Sequence, residues 1–572
     1  MTKSIIDPID RIEGHLRVEM EVEDGVVKDA WVSGGLFRGV ELIVQGREPT
    51  DASLVVQRIC GVCPTSHCHA STYAAEGAYG IIHPEGARMV RNLLEGAQYM
   101  HSHILWFYQL NALDYVNPLN ALNADPAKAY ELAQSLGLAM RDYEEVYDRL
   151  AKFAENGQYS WLSGGWFMEG QAPEHYALPA EVDLIAVAHY IEAIDMQATA
   201  DEISAIIGGK MPHTMTSRPG GTAFYPNVER LDDILFRIKT LKNFISEVLV
   251  PDALAIASVY LAEEDDNNPL KWGNNKHGNF MSYGVFDREA VDGEYDAKKR
   301  YIPAGIVHID PESGKITTED FDYTKIEEQI KHSYYDEYTD VDTQSLPPLE
   351  GQTNPPADFP GYDPSNKYSW CKAPRYDGNV MEVGPLARVL VAYANGVSEV
   401  KDAVLTVLDA LGLDDSAIPA LNSAAGRLLA RPIEDIVVIT WMEEWVTELV
   451  KYLAEGGNEF FTEKVRDTGE GVGLWEAPRG ALLHCEKIEG DHITHYQAIV
   501  PTAWNISPRG LEDDMGTIEQ CLVGTPVHNV DAPINALRIV HGYDPCIACA
   551  IHVVEPKTGK EFRMNTTPWG GR

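Results

Sequence analysis

The sequence predicts an α+β protein that is predominantly α. Its core is a bundle of long helices, with peripheral antiparallel β-hairpins, long loops, and a metal site buried between N- and C-terminal motifs. Three observations carry this expectation. Apolar residues recur at three- and four-residue steps over several long stretches. Residues 16–36 alternate apolar and polar around an Asp24–Gly25 turn. Two C-x-x-C pairs, Cys60–Cys63 and Cys546–Cys549, lie almost the whole chain apart. One such pair is a weak signal, but four thiolates from opposite ends of a chain suit a soft-metal centre deep in the fold.

Taken in order, the first hairpin places Leu16, Val18 and Met20 on one strand, with Val26–Val27 and Trp31–Val32 returning. From Glu85 to about Val116 the pattern is helical, through Val90, Leu93, Leu94, Ala97, Ile104 and Leu105, with Cys60 and Cys63 near the start of this first long helix. Asp125–Pro126 caps a second helix reaching about Asn156, and further helices are expected at 180–207, 229–262 (bent near Pro251), 386–412 and 433–455. Residues 263–370 are rich in Asp, Asn, Tyr, Gly and Pro. Turn signals at Asp292–Gly293, Ser313–Gly314 and Leu346–Pro360 predict short strands and long loops laid over the bundle. Residues 475–484 lead into strands broken at Glu489–Gly490–Asp491 and ending near Val500–Asn505. No internal repeat or low-complexity tract interrupts the chain.

Of 572 residues, 45% are hydrophobic and 23% charged, ordinary for a globular protein. The balance of 46 Lys+Arg against 87 Asp+Glu is not ordinary: a net charge of −41 repels phosphate backbones and anionic lipid, which excludes nucleic-acid binding. No stretch approaches the about 20 apolar residues of a spanning helix, and Met1–Pro8 lacks the apolar core of a signal peptide. Export is therefore expected to depend on a partner. Eight cysteines are too few for a disulfide scaffold. Cys68, Cys371, Cys485 and Cys521 are expected as plain buried thiols, Cys68 being the one adjacent to the site.

The local frames are Arg58–Ile59–Cys60–Gly61–Val62–Cys63–Pro64–Thr65–Ser66–His67 and Asp544–Pro545–Cys546…Cys549…His552. They resemble the signatures of the large, catalytic subunit of nickel–iron hydrogenases. The segments Arg11–His15, Gly39–Glu41, Tyr368–Tyr376, Met381–Arg388 and Trp475–His484 extend the likeness over essentially the whole chain, toward the uptake-type, membrane-associated branch.

The resemblance implies reversible heterolytic cleavage of dihydrogen. Cys60 and Cys546 would be terminal nickel ligands; Cys63 and Cys549 would bridge to an iron carrying one CO and two cyanides. His67 would donate a hydrogen bond to a bridging sulfur, Cys546 would take the first proton, with Arg479 as a rival or assisting base, and Glu13 would relay it. Arg479, beside Pro478, would hang over the metals, with Asp114 in a polar canopy and Pro501 and Thr502 near the cyanides. Glu41, a backbone carbonyl near Ala498, and His552 would hold Mg2+ or another divalent cation such as Fe2+. Pro64 and Asn111 depart from the family's usual residues, and Cys546 is cysteine rather than selenocysteine.

Because the clustered cysteines are all committed, electrons need an obligate iron–sulfur small subunit; the resemblance further implies export of the pair to the periplasm or the extracytoplasmic membrane face, where a membrane cytochrome could be reached through the partner. The resemblance further implies that residues 1–552 form one catalytic domain and that 553–572 are a pro-segment, removed after His552 by a maturation endopeptidase once nickel-insertion machinery has acted. Two rivals explain less. A structural zinc protein, its four cysteines closing one site, leaves Glu13 and Arg479 without a task. A non-catalytic homologue like the quinone-facing subunit of complex I would lack the nickel-binding cysteines.

Overall fold

The computed structural model describes residues 2–138, 140–158, 176–263, 266–290 and 294–550, with side chains through Ala548. Strands β1 (Thr2–Ile6), β2 (Leu16–Glu23) and β3 (Val26–Gly34) form an antiparallel sheet in that order. The expected hairpin is β2–β3. Asp24 (φ 53) and Gly25 (φ 73) are both left-handed, the backbone a tight right-twisted hairpin requires. β1 adds an edge strand that its sequence does not announce.

Helix α1 (Pro64–Tyr79) corrects the reading of the first motif: Cys60 and Cys63 precede this helix, not the one at Glu85. Nearly every face is buried, and it carries no apolar stripe because it is built from Ala, Ser, Thr and His. α2 (Glu85–Leu105) continues through a π turn, Trp106–Asn111, and a 3-10 turn ending at Asp114. The helix expected over 126–156 is two, Pro126–Ser135 and Tyr143–Glu155. Gly137 (φ 67) lets the Leu138 N–H reach back to Ala133 O at 2.9 Å and close the first.

α3 (Ala180–Gly208) is followed by α4 (Val228–Phe244) and α5 (Val250–Leu261), joined by a π turn at Ile245–Leu249. Pro251 removes an N–H there, and the hydrogen-bond ladder changes register over that turn. The run Val228–Leu261 is long and apolar enough to cross a membrane by length and composition, contrary to the composition reading, although half of its most apolar window is buried. The 386–412 helix also splits, into α6 (Pro385–Ala394) and Ser398–Ala410, at Gly396 (φ 76). α7 (Ala424–Ala454) starts ahead of its expected position and runs through Pro432. α2, α3, α4 and α7 pack on one another as the bundle.

Residues 263–370 form short strands and loops, as expected. Asn279–Val285, Ile302–Ile309 and Ile316–Glu319 make one antiparallel sheet, and Ile326–Gln329 pairs with Ser345–Leu346 and Ala373–Tyr376. The Asp292–Gly293 turn lies outside the described residues. Helix outweighs strand, 47% to 17%, so the predominantly α reading holds.

The sheet that positions the site comes last: β4 (Gly469–Ala477), β5 (Gly480–Glu489) and β6 (His492–Ile499). α1 lies flat on it. A Cβ on Gly471 would meet Ala74 O at 1.9 Å, and one on Gly473 would meet Ala70 O at 1.9 Å. Helix backbone therefore touches strand backbone, which explains the small residues of α1.

Glu486 on β5 is fully buried, and neither carboxyl oxygen has a hydrogen-bond partner among the described residues. Burial pushes its pKa up to about 8. The folded state then keeps a proton that the unfolded state has lost, so stability is greatest below the ordinary carboxylate range and is lost as pH rises through about 8. Glu486→Gln is expected to flatten that fall, read as unfolding midpoints between about pH 5 and about pH 9. An unchanged pH slope would contradict this.

Candidate metal centre

The two cysteine motifs meet in the interior. Cys60 follows the 3-10 turn Val56–Ile59, and Cys63 immediately precedes α1, whose first residue, Pro64, fixes the helix start. Cys546 sits between α8 (Ile534–Tyr543) and the short helix α9 (Ile547–Ala550). Its sulfur is 3.2 Å from that of Cys60, far beyond the about 2.05 Å of a disulfide. The N–H groups of Val62 and Cys63 both point at Cys60 Sγ, at 3.3 and 3.2 Å. Two donors on one buried sulfur favour the thiolate. The side chain of Cys549, and His552 altogether, lie outside the described residues. Among the described residues no group of three His, Cys, Asp or Glu could hold a metal.

Glu13 closes the pocket from the N-terminal side. Its Oε2 is 3.3 Å from Cys546 Sγ and accepts the Ala548 N–H at 2.7 Å, while its carbonyl accepts the Ile547 N–H at 2.8 Å. Gly14 (φ 86) permits the approach, since a Cβ there would lie 2.6 Å from Ile547 Cβ. Burial, then the charge of Cys60, raises the Glu13 pKa; the Ala548 N–H opposes them. Arg38 ties the two motifs by donating to both Ile59 O and Ala548 O.

Arg479 occupies the two-residue turn between β4 and β5. Arg388 on α6 braces that turn, donating to Ala477 O (2.8 Å) and Pro478 O (2.9 Å) while paired with Glu434 at 2.6 and 2.7 Å. The Arg479 guanidinium donates to Asp544 Oδ1 at 2.9 Å and to Ser102 Oγ at 3.3 Å. Burial alone would lower its pKa, but Asp544 and the cysteines Cys546, Cys63 and Cys60 carry it well above the ordinary value. A fixed cation thus faces the thiols. The buried sulfurs, the N–H support and this cation suit a soft metal held as thiolates.

Residues 38–552 match the nickel-dependent hydrogenase family. The chain belongs to that family. It is 36% identical to the hydrogenase-2 large chain of Escherichia coli (strain K12), over 96% of this chain and 97% of that one. It is 38% identical to the uptake hydrogenase large subunit of Bradyrhizobium diazoefficiens, over 96% and 95%. The Ni–Fe–Se hydrogenase of D. vulgaris Hildenborough in the reduced state superposes with a TM-score of 0.77 at 33% identity, covering 96% of this chain and 100% of that one.

Within this hydrogenase chain the remaining expected residues fall as follows. Asp114 is buried and paired with Arg11 Nη2 (2.5 Å) and His541 Nδ1 (2.6 Å); burial would raise its pKa, but the Arg11 guanidinium and the hydrogen bond from the His541 ring hold it low. Pro501 and Thr502 begin the short helix Pro501–Asn505, and Thr502 Oγ1 accepts the Cys546 N–H at 3.1 Å. His67 lies one turn into α1, its pKa lowered to about 4 by burial. Glu41 is reached by Ala498 through the N–H, which donates to Oε1 at 3.0 Å, and by the Thr353 hydroxyl on Oε2. Lys372 stands beside this cluster, donating to Gln497 Oε1 (2.9 Å) and Glu328 Oε2 (3.3 Å). Cys68 donates to Ser217 O at 3.7 Å, and burial pushes its thiol up to about 12.

Sequence reasoning missed Asp544 as a functional residue. It adopts a left-handed backbone (φ 53) at the end of α8 and bridges two buried arginines, Arg479 and Arg431, the latter at 3.1 Å. Its place two residues before Cys546 was the available signal.

Proposed function

We propose that this chain is the large subunit of a nickel–iron hydrogenase that cleaves dihydrogen reversibly into protons and electrons. The observation that carries the reading is the meeting of Cys60 and Cys546 at 3.2 Å with Glu13 Oε2 3.3 Å from the second sulfur. Cys60, Cys63, Cys546 and Cys549 would hold nickel and an iron carrying CO and cyanide; when bound, that centre supplies the Lewis acid that polarises dihydrogen.

The chain's own residues manage protons and exclude water. Cys546 Sγ is the first proton acceptor, and Glu13 Oε2 is within reach to take the proton from it. A carboxyl whose pKa burial has raised holds a proton more readily than a surface one, which suits a relay. Arg479 keeps its charge and so orients and stabilises rather than acting as a base. Asp544 and Asp114 would fix the polar canopy; Pro478 shapes the turn, and Pro501 and Thr502 would face the cyanides. Glu41, the backbone at Ala498, and His552 would hold a magnesium-like cation. Electrons leave through an iron–sulfur small subunit exported with this chain to the periplasm, with a membrane cytochrome as acceptor.

Metal analysis and infrared spectroscopy of the chain purified with its partner test the reading: nickel and iron with CO and CN stretches are expected. Zinc as the sole metal, with no such bands, would replace it by the structural zinc alternative.

Residues 553–572 are read as the pro-segment. The family match ending at His552 supports this, as does the burial of Cys546, which a polar tail attached nearby would oppose. The intact mass of active enzyme is expected to correspond to a chain ending at His552. A nickel-loaded, active chain ending at Arg572 would rule out processing.

A further inference from the structure

A buried polar row runs from α1 across the last sheet, beyond the groups used above. His67 Nδ1 lies 3.0 Å from His484 Nε2, and His484 Nδ1 lies 2.6 Å from Tyr496 Oη. His484 is on β5 and Tyr496 on the neighbouring β6. All three side chains are buried, and the two imidazoles meet edge to face, 5.2 Å apart at 72°.

Each contact needs one proton between its two heavy atoms, and a neutral imidazole carries one N–H and one acceptor nitrogen. The row therefore has two consistent arrangements, with every proton shifted toward His67 or every proton shifted away. Acid and base strengths choose between them. A phenol is a stronger acid than a neutral imidazole N–H, and an imidazole nitrogen is a stronger base than a phenolic oxygen. Burial also keeps the Tyr496 phenol protonated, its pKa well above the ordinary value. Tyr496 then donates to His484 Nδ1, His484 carries its proton on Nε2 and donates to His67 Nδ1, and the His67 proton is left on Nε2. Cys60 lies within electrostatic reach of that ring.

We propose that His484 and Tyr496 are positioning residues that lock His67 as its Nε2–H tautomer, so that it offers the thiol cluster a hydrogen-bond donor rather than an acceptor. This rests on the cysteine pocket being the metal centre. Outer hydrogen-bond partners of this kind set the tautomer of a histidine and thereby the basicity of what it touches.

The test uses the holoenzyme with its small subunit and four variants. Tyr496→Phe and His484→Leu release the tautomer. His484→Gln keeps an amide donor where Nε2 stood, independent of Tyr496. Tyr496→Phe is expected to shift the CO and CN bands and lower turnover about 10- to 100-fold with nickel and iron retained, and His484→Leu to do the same. His484→Gln and the double variant His484→Gln/Tyr496→Phe are expected to keep wild-type bands, because the amide restores the donor. Wild-type bands in Tyr496→Phe, or a double variant as shifted as Tyr496→Phe alone, would overturn the proposal. If Tyr496→Phe fails to fold, His484→Gln alone decides it: wild-type bands support the lock and shifted bands overturn it. Wild-type holoenzyme without CO and CN bands would instead sink the metal-centre reading, and this inference with it.

Discussion

Glu13→Gln is expected to leave nickel, iron and the infrared bands intact while cutting dihydrogen turnover by about 10²- to 10⁴-fold. The backbone contribution of this residue survives the change, because its carbonyl still accepts the Ile547 N–H. The amide oxygen can also still accept the Ala548 N–H, so the clasp between the chain ends stays closed. What disappears is a group 3.3 Å from Cys546 Sγ that can both take and release a proton. Turnover and isotope exchange, measured beside metal content, separate the two roles. Near-normal turnover would place the proton route elsewhere and leave Glu13 as a structural carboxylate.

Asp544→Ala is expected to destabilise the protein by about 3–5 kcal/mol, the cost of leaving buried charges without their counter-ion. Arg479 and Arg431 converge on the two oxygens of this one carboxylate, at 2.9 and 3.1 Å. Burial already depresses the Arg431 pKa to about 10, with Asp544 opposing the fall and Arg479 adding to it. Without the anion, two guanidiniums face each other in a site closed to water. A lowered unfolding midpoint is the readout. Asp544→Asn, which keeps the shape but not the charge, should be intermediate. A midpoint unchanged in Asp544→Ala would mean that Glu434 or the Trp106 ring, over which Arg431 lies at 3.9 Å, carries the compensation.

The readable parts of the fold were those whose pattern is set locally. The β2–β3 hairpin announced itself through alternation and a turn of two residues able to take positive φ. The amphipathic α2 did so through its apolar stripe. α1 did not, because its Ala, Ser, Thr and His residues leave no apolar stripe to show. Its small residues answer to Gly471 and Gly473, which lie far along the chain. The two helix splits turned on single glycines, Gly137 and Gly396, whose φ is invisible to periodicity. In the site, Glu13, Arg479 and the cysteines stand in contiguous motifs. Asp544, His484 and Tyr496 matter through partners brought by tertiary structure, Arg431, His67 and one another, which no local window contains.

The closure of the pocket by Glu13 against Cys546 also sets a timetable for biosynthesis. These residues are 533 positions apart in sequence. At about 5–20 residues per second, the second half of the pocket leaves the ribosome roughly half a minute to two minutes after the first. During that interval a nascent chain displays Cys60 and Cys63 with no Cys546 opposite, so only half of the proposed thiol set would be on offer to a metal. Loading of the proposed four-cysteine centre would thus be confined to chains whose synthesis is nearly finished, and a ribosome stalled before Asp544 would yield a polypeptide unable to complete it.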